Sequence, residues 1–156
     1  TWGLGQANLA VVSQSNLEVS ASNAVAWNDS PDGNYSDNTD SSLTTITISL
    51  TDTAEPQLSF ATRFDIEAGK DYGYVEASAD GGLSWQNIAT YTGTSAGWKT
   101  EVVSLSAYAN SPTVNIRFRL KSNDAVTKDG WYIDDVKVFE KPAVFGQQVF
   151  LPAITR

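Results

Sequence analysis

Residues 128–138 read KDGWYIDDVKV, and this stretch predicts a turn followed by a strand with a local irregularity. The Asp-Gly pair favours a turn, because glycine adopts positive φ without a Cβ clash. Strict alternation from Trp131 would put apolar side chains at positions 133, 135 and 137. The sequence has them at 133, 136 and 138, so the pattern slips by one residue. A β-bulge at the acidic pair Asp134-Asp135 explains this slip.

The acidic pair is a candidate metal site. A bulge re-aims a side chain, so we expect either Asp134 or Asp135 to point where an ordinary strand carries an apolar group. A bare buried charge is costly, and the chain has no His to pair with it. Ca²⁺ is the natural partner because it prefers oxygen ligands. The alternative is that both carboxylates are solvated at a strand end.

A second candidate is the long polar loop at residues 28–42, NDSPDGNYSDNTDSS. A loop of this length inside a compact domain is usually functional or disordered. Its candidate calcium ligands are Asp29, Asp32, Asn34 and Asp40. Carboxylates that flank a tight turn suit Ca²⁺, although the spacing is not that of an EF-hand. A solvated loop of Asx turns without an ion is the alternative.

Composition argues against several classes of function. The 156 residues carry a net charge of −8 with a pI near 4.3, which disfavours nucleic acid and anionic membranes as partners. There is no Cys and no His, so disulfides, thiolate metal sites and the commonest general base are absent. No apolar run is long enough to span a membrane. The chain also lacks Met, and we therefore expect a fragment processed from a larger protein.

Nearly every segment alternates apolar and polar residues with the period of a strand. The clearest case is 113–121, whose inward positions are Val114, Ile116, Phe118 and Leu120. Residues 43–50 alternate in the same way, with Ile46, Ile48 and Leu50 expected to face inward. About ten short strands separated by turns predict an all-β antiparallel two-sheet sandwich with almost no helix. We expect one domain at 1–140 and an edge strand, tail or linker at 141–156.

Residues 78–85, SADGGLSW, resemble the Asp-box, a hairpin found in sialidases and many unrelated secreted β-proteins. We predict strands at 72–79 and 85–91 on either side of it. The Asp carboxylate would accept turn N–H groups and the Trp would cover the hairpin. We therefore expect a structural role without chemistry.

One polar face is a candidate for ligand binding. Its residues are Tyr72, Tyr74, Arg63, Arg117, Arg119 and Tyr132. Aromatic rings beside polar groups suit a carbohydrate. The alternative is a set of ordinary cross-strand ion pairs with tyrosines filling between them. The five Trp residues are expected in the core or over hairpins rather than in a sugar platform.

Seven segments occur in an order that resembles the MAM-like domains of secreted bacterial peptidases, such as immune inhibitor A-type metalloproteases and subtilisin-like proteases. The segments are WNDSPxGNY at 27–35, SLT at 42–44, LSF at 58–60, YGYVEAS at 72–78, DGGxSW at 80–85, IRFR at 116–119 and DGWYIDDV at 129–136. The resemblance covers about residues 20–139 and implies a jelly roll with a structural Ca²⁺. The ion would lie at Asp134 and Asp135 and on the loop from Asp29 to Asp40. In similar carbohydrate-binding jelly rolls the second Asp of the corresponding strand binds the Ca²⁺, which favours Asp135 over Asp134 as the ligand.

The function that the resemblance implies is a non-catalytic domain, which docks substrate or stabilises a larger secreted protease. Its partners would be the other domains of the parent chain and a protein or polysaccharide substrate. No catalytic residue is predicted, because no motif pairs a nucleophile with a base and His is absent. A carbohydrate-binding module is the alternative function.

Overall fold

The computed structural model describes residues 10–12, 18–20 and 26–142. The elements are β1 (Ala10–Val12), β2 (Glu18–Ser20), β3 (Trp27–Asn28), β4 (Asp40–Thr44), β5 (Pro56–Asp65), β6 (Tyr72–Ser78), β7 (Gln86–Tyr91), β8 (Lys99–Ser104), a 3₁₀ turn (Ser106–Tyr108), β9 (Asn115–Lys121) and β10 (Gly130–Glu140). In these residues no helix is long and apolar enough to cross a membrane. The predicted tail lies outside the described residues beyond Pro142, so the domain boundary at 140 stays a prediction.

The strands form two antiparallel sheets. Sheet A has the order β1-β2-β10-β5-β8, and β3 also pairs with β10. Sheet B has the order β4-β9-β6-β7. One hydrophobic core draws buried side chains from both sheets. The predicted all-β antiparallel sandwich of the jelly-roll class is confirmed.

The alternation of apolar and polar residues along the strands places the core side chains where the sequence predicts. In β9 the side chains of Ile116, Phe118 and Leu120 are buried, and the residues between them are partly exposed. In β5 the buried positions include Leu58 and Phe60, both fully inaccessible to solvent. Each sheet therefore has one apolar face toward the core and one polar face toward water.

The indole of Trp131 lies at the centre of this core and is fully buried. Its ring centroid is 5.6 Å from that of Tyr91 and 5.9 Å from that of Phe118. Across the sandwich it packs against the backbone of Gly73. A Cβ at that position would come within 2.7 Å of an indole carbon, so glycine is the residue that permits this approach.

The predicted bulge in β10 is confirmed. The register with β5 shifts between Asp134 and Lys137, and Asp135 adopts a φ of 47°, a left-handed conformation that non-glycine residues rarely take. The expected inward-pointing carboxylate is not found. Val136 takes the buried position, Asp135 is exposed and Asp134 is partly exposed. The extra residue thus directs the acidic pair outward and returns the apolar side chains to the core.

The predicted strand at 43–50 is only partly correct. β4 ends at Thr44, and Ile46 is 50% exposed, whereas Ile48 is buried and makes a single bridge to Val114. The Thr45 hydroxyl accepts a hydrogen bond from the N–H of Ile116 at 3.0 Å. A side chain thereby replaces a backbone partner in the ladder, and the alternation is interrupted.

Gly73→Ala should lower the free energy of unfolding by about 1–3 kcal/mol, because the new methyl group overpacks the site against a buried indole. Urea denaturation of the wild type and the variant measures this change. Ser42→Ala, at an exposed position of the same sheet, is the matched control and should stay within about 0.5 kcal/mol. Equal losses in the two variants would contradict the packing explanation.

Candidate functional site

The six predicted calcium ligands fall in three places. Asp29, Asp32 and Asn34 line one pocket, Asp40 begins β4, and Asp134 and Asp135 form the bulge of β10. Across the part of the chain that the structure describes, no three acidic side chains come close enough to hold one metal ion. The six residues therefore do not fit a single ion as a set, and calcium binding stays a prediction.

Two of these places have partners within the protein. Both carboxylate oxygens of Asp40 accept hydrogen bonds from the Arg119 guanidinium, each at 2.7 Å, and these bonds hold the pKa of Asp40 below its usual value. At the bulge, Asp134 Oδ1 accepts the N–H of Asp135 at 2.8 Å. That carboxylate thus satisfies a backbone group where the strand ladder is interrupted.

Asp29 is the buried acid of the loop, with only 2% of its surface exposed. Its Oδ1 accepts the backbone N–H of Trp131 at 2.6 Å. Gly130 is essential to this contact, because a Cβ there would collide with the Asp29 carboxylate. Burial raises the pKa of Asp29 to about 6, although the hydrogen bond from Trp131 opposes that rise.

Tyr35 anchors the far side of the same loop in the protein interior. Its hydroxyl donates to Asp71 Oδ2 at 2.7 Å and accepts the N–H of Glu67 at 3.0 Å. Asp71 is fully buried, and its other oxygen accepts the N–H of Asn123 at 2.8 Å. Sequence reasoning missed this network. The available signal was a lone aromatic residue within an otherwise polar loop.

Between these anchors the loop forms an open pocket of about 300 Å³. Its lining residues are Asp29, Ser30, Pro31, Asp32, Gly33, Asn34, Tyr35, Ser36 and Thr39. The loop is also tied to the segment before β10, since the Ser30 hydroxyl donates to the Asp129 carbonyl and the Asn34 amide donates to the Thr127 carbonyl, both at 3.1 Å. The lining is mostly polar, so a small hydrophilic ligand is the chemistry that it suits.

The predicted ligand face is divided between the two sheets. Tyr72, Tyr74, Arg117 and Arg119 lie on the outer face of sheet B, whereas Arg63 and Tyr132 lie on the outer face of sheet A. The whole sandwich separates these two groups. The six side chains therefore do not form one surface.

The charged groups on sheet B are paired with one another. Arg117 Nε donates to Glu76 Oε2 at 2.6 Å, and Arg119 is bound to Asp40. Arg119 also lies 3.7 Å from the second oxygen of Glu76. These contacts are the cross-strand ion pairs expected as the alternative to a ligand face.

Aromatic rings cover the spaces between these ion pairs. Tyr72 and Tyr74 are stacked with centroids 5.9 Å apart, and both are partly buried. Arg117 also lies over the Trp85 ring at 4.2 Å from its centroid. The aromatic groups of sheet B are therefore occupied by contacts within the protein.

The outer face of sheet A carries a different cluster. Asp129 accepts hydrogen bonds from Arg63 at 2.9 Å and from the Tyr132 hydroxyl at 3.0 Å. Arg63 lies over the Tyr132 ring, 5.0 Å from its centroid. Trp98 meets Tyr132 edge-on at 6.3 Å and is 50% exposed. The expectation that every Trp lies in the core or over a hairpin is therefore wrong for Trp98.

The Asp-box hairpin has the structural role expected of it. Asp80 Oδ1 accepts the N–H of Ser84 at 2.9 Å and the hydroxyl of Ser78 at 2.7 Å. Hydrogen bonds to the carboxylate hold the pKa of Asp80 well below its usual range, and the bonds from Ser84 contribute most. The Trp85 indole N–H donates to the Gly82 carbonyl at 3.0 Å and closes the turn.

Asp29→Asn should alter the pH dependence of stability in chelator-containing buffer. The folded-state pKa of Asp29, about 6, exceeds the ordinary 3.8, so the native state binds the proton more tightly than the unfolded state. Wild-type stability should therefore rise as pH falls from about 7 to about 4, by up to about 3 kcal/mol from this group. The variant cannot titrate and should lose this component in urea denaturation across that range.

Asp32→Asn, at an exposed position of the same loop, is the matched control and should keep the wild-type profile. Identical pH profiles for the wild type and Asp29→Asn would contradict the assignment of the effect to Asp29.

Comparison with known proteins gives two matches of different kinds. Residues 70–138 match the family model for Reelin subrepeat B. Bacillopeptidase F of Bacillus subtilis is 33% identical over 111 residues, which cover 71% of this chain. The chain spans only 8% of the length of that relative. The match therefore corresponds to a small part of that relative.

A solved structure supports the fold. The K1 cleaved adhesin domain of Lys-gingipain from Porphyromonas gingivalis W83 has a TM-score of 0.51 at 15% identity, covering 81% of this chain and 75% of that one. This likeness supports the fold alone. A Family 11 carbohydrate-binding module from Clostridium thermocellum has a TM-score of 0.41 at 15% identity, with 90% and 86% of the chains covered. That likeness is too distant to inform function.

Proposed function

We propose that this chain is a non-catalytic domain of a larger secreted peptidase, and that it docks substrate or stabilises its parent. The observation that carries this proposal is the 33% identity to Bacillopeptidase F over 111 residues, of which this chain would make up only 8%. Most of the length of such a protein lies elsewhere, so other domains of the parent chain are the expected partners. The secreted location rests on the same relationship.

Several of the described acidic residues support a non-catalytic role, because their contacts are structural. Hydrolysis needs a nucleophile with a base, converging carboxylates or an open metal site. The chain has no His to act as the base. Asp40 is bonded to an arginine and Asp80 closes a turn. Asp134 and Asp135 are adjacent on one strand and do not converge on a shared bond.

The fold supports a docking role, because internal hydrogen bonds hold its connections and each sheet presents an outer face. The long loop is held at Asp29 and Tyr35, and the β6–β7 hairpin is closed by Asp80. A rigid surface loses little conformational entropy when it binds a partner, which favours docking. The finer assignment to MAM-like domains stays a prediction, since the family model that matches is that of Reelin subrepeat B.

Deleting this domain from the parent peptidase should separate two activities. Hydrolysis of a short fluorogenic peptide should be unchanged, because the catalytic groups lie elsewhere. Hydrolysis of large protein substrates should show a raised KM, or the parent should unfold at a lower temperature. Steady-state kinetics on both substrates and a thermal melt measure these effects. Loss of peptide hydrolysis in a deletion variant that folds, or no change in any readout, would contradict the proposal.

We further propose that any bound Ca²⁺ lies in the loop pocket rather than at the bulge. Carboxylate, amide and hydroxyl oxygens of the loop line that pocket, whereas Asp135 is exposed. A site with few carboxylates would need backbone carbonyls to complete its coordination. A bound ion would tie the loop to the strands at its base and lower the entropy of the loop.

Added calcium should then raise the melting temperature relative to a chelator. At a concentration about 100-fold above Kd the gain is about 2.7 kcal/mol. Asp29→Asn should lose the rise, and Asp135→Asn should keep it. If Asp135→Asn lost the rise and Asp29→Asn kept it, the ion would lie at the bulge instead. Equal melts with no metal detected by elemental analysis would contradict calcium binding altogether.

A further inference from the structure

We propose that the outer face of sheet A binds an uncharged saccharide chain, with Trp98 as the stacking platform. The site consists of Trp98, Tyr132, Arg63 and Asp129, which together we term the Trp98 corner. Saccharide binding would extend the accessory role of the domain by naming a ligand class. If no saccharide bound, the proposed accessory role of the domain would still stand.

Trp98 has the exposure that a stacking residue needs. Half of its surface is open to solvent, although tryptophan is costly to leave exposed. The rings of Trp98 and Tyr132 meet at 71°, so they form a corner rather than a flat stack. A pyranose ring resting on Trp98 would thus have an aromatic wall beside it. Large aromatic surface with nearby polar groups is typical of small-molecule sites.

The segment that presents Trp98 is held rigidly before any ligand arrives. Ser95 donates its N–H to the Phe64 carbonyl at 2.9 Å and accepts the Phe64 N–H on its hydroxyl at 3.0 Å. The Thr94 hydroxyl donates to Asp65 at 2.6 Å. These bonds tie the loop before β8 to the end of β5. Preorganisation of this kind lowers the entropic cost of binding.

Polar groups beside the ring are also fixed in position. Asp129 holds both Arg63 and the Tyr132 hydroxyl, while the side chains of Arg63 and Asp129 remain 47% and 40% exposed. Donors and acceptors therefore face solvent next to the aromatic corner. Sugar hydroxyl groups act as both donors and acceptors, and this mixture can satisfy them.

The sheet next to the corner provides a low surface along which a chain could extend. The outward side chains of β5 that follow Arg63 toward its start are Ala61 and Ser59, which are small. Their neighbours on β8 are Thr100 and Val102, and Val102 is 55% exposed. The Trp98 corner rises at one end of this surface.

Charge favours an uncharged ligand. Arg63 and Asp129 neutralise one another across 2.9 Å, so the corner has no net charge from this pair. The whole chain carries −8, which would repel an anionic polysaccharide at a distance. An uncharged hexose or pentose polymer therefore fits this site better than a polyuronate does.

The β8 edge of sheet A is poorly suited to pairing with a strand from a protein partner. Lys99 and Glu101 stand opposite the buried residues Thr62 and Phe60, so both charged side chains point toward the interior side of β8. They pair with each other at 2.7 Å. Inward-pointing charges on an edge strand disfavour edge-to-edge pairing. The outer face of β8 remains the available surface.

Binding of cellohexaose, laminarihexaose, xylohexaose and mannohexaose to the 156-residue chain tests the proposal by isothermal titration calorimetry. At least one should bind and quench tryptophan fluorescence. Trp98→Ala should weaken that binding about 10-fold or more, as expected for loss of a buried aromatic contact. Trp98→Tyr, which keeps a ring, should retain most of it.

Tyr74→Ala, on the opposite outer face, is the matched control and should bind as the wild type does. Thermal melts of each variant exclude unfolding as the cause of lost binding. Binding lost in Tyr74→Ala but kept in Trp98→Ala would move the site to sheet B and overturn the proposal. Preference for a polygalacturonate oligomer, or no binding of any neutral probe at millimolar concentration, would overturn it as well.

Discussion

The burial of one indole, that of Trp131, is the contact on which the rest of this sandwich depends. The ring can lie between the sheets only because Gly73 has no side chain, and the rings of Tyr91 and Phe118 from sheet B then pack against it. The same residue donates its backbone N–H to Asp29, so the position of the long polar loop follows from the position of the core. A single close approach thereby couples sheet spacing, core packing and loop geometry.

The polar loop is organised from its buried members rather than from its exposed ones. Asp29 and Tyr35 attach it at two points, and the exposed residues between them are left to form a pocket. Burying a carboxylate costs free energy, and here hydrogen bonds from backbone and hydroxyl groups offset part of that cost. The loop therefore has a defined shape although its composition resembles that of a solvated turn.

Period-two alternation was sufficient to predict the sheet core, and the one-residue slip at Asp134-Asp135 was sufficient to predict the bulge. Alternation says which side of a strand faces the core, but it does not say to which sheet the strand belongs. For that reason Arg63 and Arg117 were predicted on one face and lie on opposite faces of the sandwich. Trp98 was misjudged because hydrophobicity predicts burial, whereas its location beside an edge strand leaves it half exposed. The hydrogen bond of Tyr35 to Asp71 joins distant segments, so the lone aromatic residue in the loop hints that Tyr35 is buried but does not identify its partner.

The central place of β10 in sheet A has a consequence for the order of folding. β10 is the last described strand in the chain, yet it lies between β2 and β5, and β3 also pairs with it. The hydrogen bond from Trp131 to Asp29 joins residues 102 positions apart. During synthesis β2, β3 and β5 therefore lack their β10 partner until that strand has been made, although β1 can pair with β2 and β5 with β8 before then. Contacts of such long range slow folding, because a long segment of chain must close before they form, and the unfinished sheet exposes apolar surface in the meantime.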